Sequence, residues 1–255
     1  MPEKEKKEKE LSKTLVKDKE IEKMFDAKLH FGHKRTKKHA KMQPFIYGTR
    51  NGIDIIDLLE TKKYIKEALD FLKEAKKKDY LILFVGTKAP AKRLLRELAE
   101  KNDMPYVSER WIGGTLTNFE IISSRVKYLK ETQEKIEKKE FEKYKKKERI
   151  KIDKEMAKIE RKIGGLKKLS RIPDLMFIVD IEEEKIAVKE AKTKKIPIIG
   201  ICDTNGDPRL ADYPILANDE SISSLKYIFN KAEEALSGKE EKKVEKSEEK
   251  AEEKK

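Results

Sequence analysis

Three short runs in this sequence carry no polar side chain at all: Leu81-Ile82-Leu83-Phe84-Val85, Leu175–Val179 and Ile198–Cys202. A strand of that kind has no face to offer water, so it belongs in a parallel sheet covered on both sides. Helical patterns lie between the runs. Ile65, Ala68, Leu69, Leu72 and Ala75 share one helical face, as do Leu94, Leu95, Leu98 and Ala99. Ile186, Ala187 and Ala191 mark another helix. A last one is expected from about Asp219, with Ile222, Leu225, Phe229, Ala232 and Leu236 on one face. Tyr106-Val107, after Pro105, reads as a short strand. Strand and helix in alternation with short links predict a three-layer α/β sandwich.

Ahead of this cycle, residues 45–47 and 53–56 are strand candidates around Gly48 and an Asn51-Gly52 turn. Asp57 is placed to cap the following helix, with Glu60 completing a capping box. One segment interrupts the alternation. Residues 115–163 contain neither Gly nor Pro. Their apolar residues form a narrow seam: Ile122, Val126, Leu129 and Ile136, then Ile152, Met156, Ile159 and Ile163. Such a seam predicts two helices packed as an antiparallel coiled coil, turning within the lysine-rich residues 138–147. Gly113-Gly114 and Gly164-Gly165 bracket the insertion as expected hinges. The domain reading is therefore an α/β body over 18–114 and 164–237, a hairpin over 115–163, and charged arms over 1–17 and 238–255 that have almost nothing to bury.

Charge narrows the function. Hydrophobic residues are 37% of the chain and charged residues 44%, and Lys plus Arg exceed Asp plus Glu by 62 to 49. That surplus attracts polyanions. The lone cysteine, Cys202, rules out an internal disulfide and suits a reducing compartment. The charged first residues hold no secretory apolar run, and no apolar stretch is long enough to span a bilayer, so the expected location is the cytoplasm.

The sharpest local signal is an acidic gap. Residues 27–53 contain no Asp or Glu, yet hold Lys28, Lys34, Arg35, Lys37, Lys38, Lys41 and Arg50, with Phe31, Tyr47, His30, His33 and His39 among them. Cations contact phosphates, and flat rings stack on bases. Arg110 and Trp111 form a second candidate, Trp111 reading more naturally as a core anchor. Val85-Gly86-Thr87-Lys88 follows a strand and precedes a helix. It lacks the first glycine and the spacing of a P-loop and reads first as an ordinary turn, although its free amides can also hold a phosphate.

Catalytic constellations are sparse. No dinucleotide fingerprint is present. Asp203-Thr204-Asn205-Gly206-Asp207-Pro208 fails as a calcium loop because Pro208 stands where glycine is needed. Asp180 and Asp203 are expected at the carboxyl ends of neighbouring strands, where such sheets bind ligands. If the His30–His33 loop packs there, His33, Asp180 and Asp203 form a possible metal site. Polar residues at strand ends are also ordinary caps. No cofactor is otherwise expected.

Several motifs then occur in order: His30-Phe31-Gly32-His33, Gly48-Thr49-Arg50-Asn51-Gly52-Ile53, Glu109-Arg110-Trp111-Ile112-Gly113-Gly114-Thr115-Leu116-Thr117-Asn118, Pro173-Asp174-Leu175, Asp203-Thr204-Asn205 and Asn218-Asp219. Together they resemble the bacterial-type family of small-subunit ribosomal protein number two, over about residues 25–236. The resemblance implies a Rossmann-like (flavodoxin-like) parallel sheet with an inserted antiparallel coiled-coil hairpin. It implies a structural, non-enzymatic part of the small ribosomal subunit, in contact with ribosomal RNA and neighbouring ribosomal proteins. In bacterial relatives it also implies the large messenger-binding ribosomal protein number one as a partner. The expected RNA contacts are His33, Lys34, Arg35, Lys37, Lys38, Lys41, Arg50, Asn51, Lys88, Arg110 and Arg125. The run Thr36-Lys37-Lys38-His39-Ala40 departs from the aromatic-Asn-Pro usual in that family. Two other readings stand beside this one: a nucleotide-dependent enzyme acting near Gly86 and Lys88, and a coiled-coil adaptor whose charge serves solubility.

Overall fold

A computed structural model of the chain describes residues 18–138 and 140–237. The arms expected at 1–17 and 238–255 lie outside the described residues. The centre is a five-stranded, wholly parallel sheet in the order β5-β4-β6-β7-β8. Its strands are β4 (Ile82–Val85), β5 (Tyr106–Val107), β6 (Leu175–Val179), β7 (Ile198–Cys202) and β8 (Tyr213–Leu216).

Side chains alternate between the faces of a strand, and that alternation divides the interior in two. Ile82, Phe84, Leu175, Phe177, Val179, Ile199 and Ile201 face one core. There they meet α1 (Lys19–Asp26), α2 (Leu58–Lys77), α3 (Ala89–Lys101) and α7 (Ile222–Ser237). Leu83, Val85, Met176, Ile178, Ile198 and Cys202 face the other core, covered by α6 (Lys185–Thr193), α4 (Phe119–Glu137) and α5 (Lys146–Ile163). The α/β sandwich expected from the apolar runs is present.

A smaller antiparallel sheet precedes it, in the order β1-β3-β2: β1 (Phe31–Lys34), β2 (Ile46–Arg50) and β3 (Ile53–Ile56). Asn51 and Gly52 close the β2–β3 hairpin with φ of 52° and 76°, the backbone a two-residue hairpin turn needs. Asp57 caps α2, its Oδ1 accepting the Leu59 amide at 2.8 Å. Glu60 binds Lys63 at 2.6 Å instead of completing the box.

Three elements are not expected from the sequence pattern: α1, β1 and β8. The last carries Pro214, which breaks an apolar run, but β8 is an edge strand where a missing N–H is tolerated.

In the insertion, α4 and α5 touch each other and are joined through a short 3-10 turn at Glu140–Lys143, within the stretch expected to turn. Burial is concentrated at the base, where Ile122, Val126, Leu129, Met156 and Ile163 join the second core, whereas Ile136 and Ile150 are exposed. Two of the bracketing glycines, Gly114 and Gly165, are not free hinges. Gly114 has a φ of 91°, but its N–H is held by Glu190 at 2.7 Å. Gly165 is pressed against Tyr106, and a Cβ there would overlap the Tyr106 carbonyl oxygen and ring.

Gly165→Ala should therefore cost about 1–3 kcal/mol, the usual penalty of overpacking. It should be read as a lowered urea midpoint at unchanged slope. Gly113→Ala, with open space around it, should stay within about 0.5 kcal/mol of the parent.

Candidate nucleic-acid interface and carboxylate cluster

Residues 27–53 are fixed by their backbone and leave their cations outside. The Thr204 hydroxyl accepts the His33 amide at 2.8 Å, and the Thr204 carbonyl accepts the His39 amide at 2.8 Å. Gly32 approaches Thr204 so closely that a Cβ would overlap its side chain. Two 3-10 turns follow, Arg35–Lys37 and Ala40–Phe45, and Met42 of the second is fully buried. The segment is thereby tied to the carboxyl edge of the large sheet. Lys34, Arg35, Lys37, Lys41, Arg50 and Asn51 are exposed, and Lys38 is half-buried with its Nζ on Gln43 Oε1 at 2.5 Å. Among the described residues, no carboxylate forms an ion pair with any of these cations.

Arg110 and Arg125 are exposed as well, on separate elements: the β5–α4 connection and α4. Trp111 is a core anchor, 6% exposed, with its indole N–H donating to Glu190 Oε1 at 3.1 Å. The rings of residues 25–47 make an apolar shelf. Phe25 stacks on His30 at 4.4 Å, and the Phe31 ring lies 4.2 Å from the same imidazole. Phe25, Phe31 and Tyr47 are exposed. Phe25, His30, Tyr47 and Ile55 border a hollow of about 150 Å³. Burial lowers the His30 pKa.

Two of the expected RNA contacts point elsewhere. Lys88 bonds Asp180 Oδ2 at 2.6 Å and Asp219 Oδ1 at 2.7 Å, while the Thr87 amide is taken by Glu184 Oε1 at 3.0 Å. Carboxylates thus occupy the place a phosphate would take at this turn, and the Lys88 ammonium is held between two of them. Burial works to lower the Lys88 pKa, but Asp219 and Asp180 outweigh it and hold the ammonium well above its ordinary value. His33 is turned inward too. Its Nδ1 lies 3.0 Å from Asp203 Oδ2 and its Nε2 3.1 Å from Glu220 Oε1. The Asp203 carboxylate is the main reason its pKa is raised, with help from Asp219 and Glu220.

These groups converge because four strands end together. Lys88 follows β4, Asp180 follows β6, Asp203 follows β7 and Asp219 follows β8. Asp180 and Asp203 are neighbours at the carboxyl edge, as expected. The donors that come within 4.8 Å of one another, however, belong to His33, Asp203 and Asp219. Asp180 is instead committed to Lys88 and to the Glu182 and Glu183 amides at 2.9 and 3.0 Å. Sequence reasoning named Asp219 only as the start of the last helix and in the Asn218-Asp219 motif, and did not bring it to this cluster because it missed β8, the strand that carries it to this edge. Asp219 Oδ2 and His33 Nδ1 are buried without an aligned hydrogen-bond partner. Burial first, then Asp203 and Asp180, push the Asp219 pKa up to about 7 against the pull of Lys88. One imidazole nitrogen and two carboxylate oxygens are donors that suit a divalent transition metal.

The sequence that builds this sheet and basic segment is similar to that of known proteins. Residues 24–238 match the family described as ribosomal protein S2. The chain belongs to the ribosomal protein S2 family. It is 43% identical over 225 residues to the small ribosomal subunit protein uS2 of Petrotoga mobilis, covering 88% of this chain and 78% of that one. It is 42% identical over 221 residues to the small ribosomal subunit protein uS2 of Coprothermobacter proteolyticus, covering 86% and 82%. Ribosomal S2 proteins are structural and not enzymes, so the readings as a nucleotide-dependent enzyme and as an adaptor fall away. Among the described residues, no helix is long and apolar enough to cross a membrane.

Lys88 is the counter-charge on which the cluster depends. Lys88→Met should destabilise the protein by about 3–5 kcal/mol, because it strands two buried carboxylates. Asp219→Asn in the same chain should recover part of that stability, which a double-mutant cycle in urea would measure.

Proposed function

We propose that this chain is a structural constituent of the small ribosomal subunit that grips ribosomal RNA through the exposed cations of residues 34–50. One observation carries the reading: a stretch without acidic residues, tied to the sheet edge by backbone hydrogen bonds to Thr204, whose cations have no carboxylate partner among the described residues. Unpaired, pre-positioned cations neutralise phosphates without first breaking internal ion pairs, and release of RNA counterions drives the association. A backbone-tied loop favours recognition of folded RNA by shape over reading of base sequence. Arg110 and Arg125 are further exposed cations on other elements. The exposed Phe25–Tyr47 shelf is apolar and suits a protein neighbour. The large messenger-binding ribosomal protein number one, expected from bacterial relatives, is the candidate. The place of action is the cytoplasm, consistent with a single buried cysteine.

Replacing Lys34, Arg35, Lys37 and Lys38 together by Ala should weaken incorporation into small subunits lacking this protein. The dependence of log affinity on log salt should flatten by roughly 0.7–0.9 for each phosphate that is no longer neutralised. Normal incorporation of that variant at raised salt would remove the loop from the interface.

A second reading concerns His33, Asp203 and Asp219. Their geometry and the unpartnered Asp219 Oδ2 favour a bound divalent metal such as Zn²⁺, held by one nitrogen and two oxygens. Such an ion would replace the missing partners of buried polar atoms and tie β1 to the strand ends. Calorimetry of the full chain with Zn²⁺ should give one site and a Tm that rises with metal concentration. Asp219→Asn should abolish both effects. Absence of heat and of a Tm shift in the parent protein would refute the site.

A further inference from the structure

We propose that Glu190 is a positioning residue that fixes the direction in which α4 and α5, with the cations they carry, leave the α/β body. This step rests on the RNA-binding reading and names a residue outside the basic segment. Glu190 lies on α6 and is buried. Its Oε1 accepts the Trp111 indole N–H at 3.1 Å and the Gly114 amide at 2.7 Å. Its Oε2 accepts the amides of Leu116 and Thr117 at 2.9 and 3.1 Å and the Thr117 hydroxyl at 3.2 Å. One carboxylate thus gathers donors from four residues of the connection that leads into α4. Burial alone would raise the Glu190 pKa, but the Leu116 and Gly114 amides and the Trp111 indole outweigh it and lower it.

The need for such a latch is local. Gly113 and Gly114 allow the connection many conformations, and nothing packs on Gly113. Trp111 and Leu116 anchor the connection in the core, and Glu190 adds the polar tie that fixes the backbone of Gly114, Leu116 and Thr117 between and beyond them. The other leg is held where Gly165 meets Tyr106 and where Glu109 bridges Lys92 of α3 to Arg161 of α5, at 3.2 and 3.3 Å. Arg110 lies between these two pinned neighbours, Glu109 and Trp111. Arg125 rides on the helix whose entry is latched. Cations held in place before binding give up less conformational freedom on meeting RNA, which is the advantage of preorganisation.

Glu190→Gln keeps the side-chain shape but turns an NH₂ group toward two or three of the donors. Two measurements on the full chain test the proposal. In the isolated protein, hydrogen exchange at Gly114, Leu116 and Thr117 should quicken by about tenfold or more, a drop of at least ~1.4 kcal/mol in local protection. Amides of β4, β6 and β7 should stay unchanged. Incorporation into depleted small subunits should weaken at an unchanged salt slope, because the same phosphates are met at a higher ordering cost. If Glu190→Gln does not fold, Thr117→Val and Trp111→Phe each remove one donor. They should shift exchange and incorporation in the same direction by less.

Unaltered exchange at the three amides would overturn the latch. So would released amides with unaltered incorporation, or a flattened salt slope. The exchange readout needs no RNA, so a failure of the basic-segment reading, seen with the quadruple Ala variant, is distinguishable from a failure of the latch.

Discussion

Three aspartates reach the carboxyl edge of the sheet with almost no water around them: Asp180, Asp203 and Asp219 are each under 5% exposed. Carboxylates so placed cannot all remain charged without cations close by. Lys88 answers two of them and His33 the third. His33 can do so only if β1 lies across the strand ends, and β1 brings the basic segment with it. The interior charge balance therefore decides where the surface cations stand.

The result is a sorting of charge. Cations facing inward are consumed by the fold and have raised pKa values, as at Lys88 and His33. Those facing outward along residues 34–50 pair with no carboxylate among the described residues, which is the condition for exchanging counterions with a polyanion. A nucleotide-binding sheet uses the same edge and the same strand-to-helix turn in the opposite sense, with free amides and a free lysine meeting phosphate. Here Glu184, Asp180 and Asp219 fill that position. The α/β architecture is kept while its usual ligand is shut out, so the fold alone would have been a poor guide to function.

Much of the architecture was legible beforehand. The strands β4, β6 and β7 declared themselves because burial on both faces leaves no polar position to confuse the pattern. The acidic gap was equally visible, because surface composition is a linear property of the chain. Elements whose identity comes from their surroundings were harder to see. β8 is interrupted by Pro214, and β1 is a Gly- and His-containing run that pairs only because β3 lies beside it. Missing β8 meant leaving Asp219 out of the strand-end cluster, and with it the correct partner set for His33. The glycine pairs read as hinges because glycine loosens an isolated chain, and that inference ignored Glu190, far along the sequence.

The order of apolar runs and the excess of unopposed cations are properties of composition and spacing along one dimension. They were enough to specify an α/β body, a helical insertion and a segment of exposed cations without acidic neighbours in sequence. Which cation faces inward and which faces water depends on groups brought together from distant positions, and on their shared removal from solvent. Lys88 changes from a candidate phosphate-binding lysine to a half-buried counter-ion of two buried carboxylates because Asp180 and Asp219 arrive beside it. Charge pairing in a water-poor interior is a property of the folded chain, and no local pattern carries it.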